Sequence, residues 1–112
     1  MANEEGSYSI MRLVVLFDMP VETKEQRREY RKFHDYLEDD GFLMLQYSIY
    51  TRLCPNDTAA EKHIKRVQSF HPRYGNIRIM KITDNQFQSM IMVAGEKSAQ
   101  ELAEQNTSLI VI

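Results

Sequence analysis

The feature that most constrains the fold is an almost wholly apolar run near the start of the chain, at residues 11–17. It shows no alternation and is rich in branched side chains, which is typical of a strand buried on both faces and therefore central in its sheet. The run stops at Asp18, because the nearby Pro20 cannot donate a hydrogen bond to a neighbouring strand. Other strands must lie on both sides of it.

Two segments carry helix signals. A capping-box pattern at residues 23–26 opens a helix that extends to about Asp40 and is closed by Gly41. A second capping-box pattern at residues 58–61 opens a helix that ends by Pro72. Both helices carry apolar residues at helical spacing, so each has one face to bury.

Residues 42–53 switch to a period of two, which predicts strand. The stretch is long for a single strand, so it forms either one strand or two. Gln46, Ser48 and Tyr50 share one face. We interpret it as the solvent side of an antiparallel sheet, or as a buried polar face if two sheets pack in a dimer.

The second half of the chain carries further strand signals. Apolar runs at residues 77–83 and 87–94 flank a short polar turn and predict a hairpin, and a short helix follows at residues 98–104. The chain ends on consecutive apolar residues at positions 109–112. This tail either joins its own sheet or, as we favour, lies along the sheet edge of a second copy.

The order of these elements predicts an α+β fold in which an open, ferredoxin-like sheet carries two helices on one face. We assign residues 1–8 to a flexible N-terminal extension and residues 9–112 to a single ferredoxin-like domain that includes a C-terminal strand at residues 108–112. Exchange of this end strand between two copies would join a homodimer.

Composition indicates where such a chain works. The net charge of −2 argues mildly against a nucleic-acid partner, although the distribution of charge matters more than its sum. The single cysteine cannot form an internal disulfide, which favours a reducing compartment. No apolar run approaches the ~20 residues of a membrane span, and the opening residues lack a signal-peptide core. We therefore expect a cytoplasmic protein without a membrane partner.

Asp18 is the candidate for metal chemistry. A carboxylate at the end of a buried central strand is rigidly held, and Mg²⁺ or Mn²⁺ prefers oxygen ligands. One carboxylate supplies only part of such a site, but a symmetric dimer could bring a second copy of Asp18 to face it. The alternative is that Asp18 only begins an Asx turn before Pro20.

A group of cations falls at helical spacing on one face of the first predicted helix. We call this group the cationic stripe; its members are Lys24, Arg27, Arg28 and Arg31. A row of cations on a rigid helix suits the phosphates of a nucleic acid. The alternative is a solvated face that Glu25 and Glu29 partly neutralise. Arg78, in the third strand region, adds a supporting basic residue.

Several short motifs stand in a specific order along the chain. They are Leu13-Val14-Val15-Leu16-Phe17-Asp18-Met19-Pro20, Tyr30-Arg31-Lys32-Phe33, Gly41-Phe42, Gln46-Tyr47-Ser48-Ile49-Tyr50 and Gly75-Asn76-Ile77-Arg78. Their order and spacing closely resemble the CRISPR-associated protein two family, in the version that accompanies type II systems. The resemblance runs from about residue 8 to about residue 94.

The resemblance implies a ferredoxin-like homodimer that bridges two integrase dimers and holds protospacer duplex DNA for insertion into the CRISPR array. It also implies a metal-dependent endonuclease, acting on RNA or DNA, in which Asp18 binds Mg²⁺ or Mn²⁺ shared with the partner subunit. Met19-Pro20 departs from the commoner family pattern, so we favour the scaffold over catalysis. The assignment of the cationic stripe and Arg78 to phosphate contacts is our own inference.

Two other functions of this topology find little support. An RNA-binding sheet needs aromatic residues on a central strand, and residues 77–82 carry none. A regulatory, small-ligand domain would leave the cationic stripe unexplained.

Overall fold

The computed structural model describes residues 9–97 and 101–104. The elements, in chain order, are β1 (Met11–Asp18), α1 (Lys24–Asp39), β2 (Leu43–Gln46), β3 (Ile49–Cys54), α2 (Asp57–Gln68), β4 (Asn76–Thr83) and α3 (Asp84–Gln88). The strands form one sheet in the order β2-β3-β1-β4, and every neighbouring pair is antiparallel. The predicted α+β, ferredoxin-like class is confirmed, and β1 is central as expected.

The core lies between one face of the sheet and the two long helices. Leu13, Val15 and Phe17 project from β1 into this layer and are buried. Phe33 of α1 is fully buried, with its ring centroid 5.0 Å from that of Phe17 and 4.8 Å from that of Phe70. The opposite face of the sheet carries no long helix, and we call it the helix-free face.

The caps of α1 form as predicted. Thr23 accepts from the backbone N–H of Gln26, whose side chain accepts from the Thr23 N–H in return. At the other end Gly41 adopts a φ of 88°, and the N–H of Phe42 donates to the Leu37 carbonyl at 2.9 Å. These bonds make a Schellman ending, which needs a residue that tolerates the left-handed region.

Residues 42–53 form two strands rather than one. The chain turns between β2 and β3, where Ser48 has a φ of 64°. The interpretation of Gln46, Ser48 and Tyr50 as a solvent-facing polar face was wrong for Tyr50, which is fully buried. Tyr50 lies opposite Val15 in the β1–β3 register and therefore faces the helices, with its hydroxyl against Nδ1 of His34.

Two other predictions fail for local reasons. The second helix begins at Asp57, because Asn56 rather than Thr58 caps it by accepting from the N–H of Ala59 at 2.8 Å. The return strand predicted at residues 87–94 does not form, since residues 84–88 are helical and residues 89–97 carry no strand. Thr83 opens α3 with a capping box completed by Gln86, a signal present in the sequence but interpreted as a hairpin turn.

A buried ion pair lies at the start of β1, on the helix-free face and at the opposite end of the strand from Asp18. Arg12 is fully buried and donates to Asp84 at 2.8 Å and to Glu104 at 3.2 Å. Its guanidinium also stacks on Phe87, 4.3 Å from the ring centroid. These contacts hold α3 and the helical residues 101–104 against the start of β1.

Cys54 ends β3 inside the core. Burial raises the pKa of its thiol, and the nearby Arg52 guanidinium opposes that rise only in part. The thiol is therefore largely protonated at neutral pH.

Some predictions fall outside the described residues. They concern the extension at residues 1–8 and the terminal strand at residues 108–112; of the predicted helix at residues 98–104, only 101–104 are described, and they are helical. Among the described residues, no helix has the length and apolar character required to cross a membrane.

Candidate metal and nucleic-acid site

Asp18 is the last residue of β1 and is exposed. Because side chains alternate along a strand and Phe17 faces the helices, Asp18 belongs to the helix-free face. It lies opposite Asn76 of β4 in the register. The structure therefore places an exposed carboxylate at the end of β1, a strand that has a neighbouring strand on each side.

Gly75 fixes the backbone around Asp18. A Cβ at this position would lie 2.2 Å from the Asp18 carbonyl oxygen and 2.9 Å from the Met19 Cα. Gly75 also has a φ of 88°, which side chains of L-residues rarely adopt. Only glycine allows the start of β4 to approach the end of β1 this closely, so the Asp18 backbone has little freedom to move.

Arg78 is the predicted basic residue that the structure brings near Asp18. It is exposed on β4 opposite Leu16, and Leu16 and Asp18 share the helix-free face. Arg78 and Asp18 are thus neighbours on one face of two adjacent strands. Among the described residues no ion pair joins them, so both side chains are available to a ligand.

The cationic stripe lies on the other side of the sheet. All of its members are exposed, on the face of α1 away from the buried Phe33 and Leu37. Within the described chain no carboxylate forms an ion pair with any of them; Glu25, expected to neutralise them partly, pairs with Arg73 instead. Arg27 donates to the Glu22 carbonyl at 2.8 Å. The stripe is an exposed row of cations, separate from Asp18.

The sequence analysis did not predict the aromatic cluster that lies near the end of β1. Tyr30 packs on Phe17 with ring centroids 5.9 Å apart, and burial together with neighbouring Tyr47 raises the Tyr30 pKa. Burial raises the pKa of Tyr50 to about 12. These phenols are protonated at neutral pH and act as hydrogen-bond groups or flat surfaces, not as bases.

A divalent cation needs several oxygen or nitrogen ligands close to one another. Among the described residues, the one group of His, Cys, Asp or Glu side chains close enough to share an ion is His34, Asp35 and Glu38. Its histidine is already engaged, because Nε2 lies 3.3 Å from Glu38 and Nδ1 contacts Tyr50. Asp18 offers a free carboxylate, which fits one position of a Mg²⁺ or Mn²⁺ site but cannot complete it.

Comparison with known proteins identifies the family. The family model described as CRISPR associated protein Cas2 matches residues 11–90, which contain the whole sheet, the Asp18 strand end and the cationic stripe. This chain belongs to the Cas2 family. The resemblance inferred from the motifs is confirmed.

The alignments with curated Cas2 proteins cover most of this chain. The CRISPR-associated endoribonuclease Cas2 of Ligilactobacillus salivarius (strain UCC118) is 46% identical over 87 residues, covering 78% of this chain and 86% of that protein. The CRISPR-associated endoribonuclease Cas2 of Streptococcus mutans serotype c (strain ATCC 700610 / UA159) is 37% identical over 102 residues, covering 91% and 93%. A solved structure described as "Crystal structure of cas2" matches with a TM-score of 0.55 at 15% identity, covering 81% of this chain and 93% of that one. This structural similarity supports the assignment of the Cas2 fold to this chain.

Proposed function

We propose that this Cas2-family chain is a cytoplasmic subunit of a CRISPR spacer-acquisition complex. In this proposal a homodimer bridges two integrase dimers and holds protospacer duplex DNA for insertion into the CRISPR array. The observation that carries it is the cationic stripe: a row of exposed cations on a capped helix, without an ion pair to a described carboxylate. Such a row binds phosphates without reading sequence, as a subunit that accepts varied DNA requires.

The dimer in this proposal is supported by two exposed features. β4 has a strand partner on one side only among the described strands, so its outer edge can accept another strand. The following residues Met90, Ile91, Met92 and Val93 are 54%, 82%, 48% and 94% exposed. A strand exchanged between copies would pair such an edge and bury such a run. A metal site shared by two copies would in addition require Asp18 of each copy to lie near the two-fold axis.

Removing two cations of the stripe tests the DNA-holding role. The double variant Arg28→Ala/Arg31→Ala is expected to bind a duplex of about 30 base pairs, roughly three helical turns, more weakly than the unmodified chain. The slope of log affinity against log salt is negative, and each lost phosphate contact lowers its magnitude by about 0.9, so the double variant should show a slope less steep by about 1.8. Fluorescence anisotropy over a salt series measures both quantities, with and without the integrase subunit.

The matched control removes the same charge elsewhere. Lys62 and Lys65 are exposed on α2, so Lys62→Ala/Lys65→Ala changes net charge equally without touching the stripe. This control should bind with nearly unchanged affinity and salt slope. An equal loss in both double variants would mean that net charge, rather than the stripe, attracts the duplex, and the proposal would be wrong.

A second candidate function is metal-dependent cleavage of single-stranded RNA or duplex DNA. The observation that favours it is Asp18, exposed and free of ion pairs among the described residues at a fixed strand end, in a chain whose relatives are named endoribonucleases. In this proposal Asp18 and the same residue of a second copy would hold Mg²⁺ or Mn²⁺, and the bound cation would supply an activated water for phosphodiester hydrolysis. Arg78 would then contact a phosphate near the scissile bond.

A further inference from the structure

Asn76 is the residue that the sheet places directly beside Asp18. In the antiparallel register of β1 and β4, Asp18 and Asn76 form the last pair. Residues that lie opposite one another in such a pair project their side chains to the same face, with Cβ atoms about 4.5–5.5 Å apart. The amide of Asn76 and the carboxylate of Asp18 therefore share the helix-free face at the end of β1.

The burial pattern of β4 agrees with this orientation. Ile77 and Ile79 are partly buried and pack against the core. Asn76, Arg78 and Met80 alternate with them along the strand and are exposed. Because side chains alternate between the two faces of a strand, Asn76 projects away from the helices, as Asp18 does.

Asp18 has no strand neighbour on its other side in the described sheet. The register of β1 with β3 ends at Leu16 and Ile49, two residues before Asp18. Among the described residues, the side chains of Asp18 and Asn76 make no hydrogen bond or ion pair. The carboxylate and the amide are therefore adjacent, and both can bind the same ligand.

An amide oxygen beside a carboxylate extends the set of ligands that one chain offers a cation. Mg²⁺ and Mn²⁺ prefer about six oxygen ligands, and carboxylate, carbonyl and water oxygens all serve. One chain would supply two of these ligands, two copies would supply four, and water would complete the set. Because an amide is neutral, the two carboxylates would balance the charge of one divalent cation.

We propose that the side-chain oxygen of Asn76 is a ligand of the Mg²⁺ or Mn²⁺ ion that Asp18 binds. This inference rests on the proposed metal-dependent function and adds a second ligand from the same chain. Since Gly75 packs against the Asp18 backbone, the two strand ends that carry these ligands have little freedom to separate. The pair would meet the cation with its spacing already set.

Titration with Mn²⁺ tests the proposal without relying on cleavage. The electron paramagnetic resonance signal of free Mn²⁺ falls as the ion binds the purified chain, and it yields the dissociation constant. Asn76→Leu keeps a similar shape but removes the oxygen. Loss of even an outer-shell partner typically costs about 10–100-fold in metal affinity, so this variant should bind Mn²⁺ at least about tenfold more weakly. Asn76→Asp retains an oxygen and should bind at least as tightly as the unmodified chain.

Asn85 provides the matched control. It is exposed in α3, which follows the opposite end of β4, so Asn85→Leu makes the same chemical change away from Asp18 and should leave the Mn²⁺ affinity unchanged. A second measurement needs no variant. In the unmodified chain, Mn²⁺ should broaden the side-chain NH₂ resonances of Asn76 in a ¹H–¹⁵N spectrum and leave those of Asn85 sharp.

The outcomes separate this inference from the function on which it rests. If Asp18→Asn loses Mn²⁺ binding while Asn76→Leu keeps it, Asp18 binds the ion without Asn76 and the inference alone is wrong. Equal weakening by Asn76→Leu and Asn85→Leu, or Asn76 resonances that stay sharp in bound Mn²⁺, would also contradict it. If the unmodified chain does not bind Mn²⁺, or if Asp18→Asn binds it equally well, the proposed metal site and this inference are both wrong.

Discussion

Replacing Asp18 by asparagine is expected to abolish the proposed metal-dependent cleavage of nucleic acid while leaving the fold and duplex binding of the chain unchanged. Asparagine has nearly the same shape but lacks the charge that holds a divalent cation, and in a two-fold dimer both charges are lost at once. A bound divalent cation would supply several kcal/mol of transition-state stabilisation, so its loss should lower the rate by about two orders of magnitude or more. Cleavage of labelled single-stranded RNA and duplex DNA in Mg²⁺ and in Mn²⁺ measures this.

The control for Asp18 is a second exposed aspartate. Asp39 ends α1 and is exposed, far from the end of β1 in the fold, so Asp39→Asn changes charge equally and should cleave at the unmodified rate. Undiminished cleavage by Asp18→Asn would assign the activity to a contaminant or to other residues. That result would contradict the proposed cleavage function and would leave the DNA-holding role as the remaining proposal.

Breaking the buried pair of Arg12 and Asp84 is expected to have the largest effect on stability. Arg12→Met leaves Asp84 buried with no counter-charge, since the Asp84 side chain is 2% exposed. Loss of one member of a buried pair typically lowers the free energy of unfolding by about 3–5 kcal/mol. Urea denaturation followed by circular dichroism measures the change as a shift of the midpoint at constant slope.

Replacing both members of the pair should recover most of the free energy of unfolding that the single replacement loses. Among the described residues, Oδ2 of Asp84 is buried without a hydrogen-bond partner, so the pair is incompletely satisfied even when intact. The double variant Arg12→Met/Asp84→Leu is therefore expected to unfold at a higher urea concentration than Arg12→Met alone. As an exposed comparison, Lys81→Met removes a cation that pairs with Asp57 at 2.7 Å and should cost no more than about 1 kcal/mol. If Arg12→Met and Lys81→Met lowered the free energy of unfolding equally, burial of the ion pair would not determine the size of the loss.

The elements that sequence predicted well are those set by neighbouring residues. The central position of β1 follows from its unbroken apolar run, and α1 follows from Thr23, Gln26 and Gly41, which act within a few residues of the helix ends. The exposure of the cationic stripe follows from the same helical spacing. Of the motifs that indicated the Cas2 family, Tyr30-Arg31-Lys32-Phe33 lies within α1, and Leu13-Val14-Val15-Leu16-Phe17-Asp18-Met19-Pro20 begins in β1.

What sequence could not predict depends on contacts between distant segments. Arg12 interrupts the apolar run and meets Asp84 across 72 positions of the chain, so its burial has no local signal. Tyr50 is assigned to the core only once the register pairs it with Val15. The side of the sheet on which Asp18 projects is likewise a property of the pleat, and it separates Asp18 from the cationic stripe.

The position of Cys54 has a practical consequence for studies of assembly. Its sulfur is shielded and largely protonated, so maleimide reagents should leave the native protein almost unmodified. A cysteine introduced at an exposed position such as Val93→Cys would therefore be the single labelling site. A fluorophore attached there would report, through its change in emission, when another molecule covers that stretch of backbone.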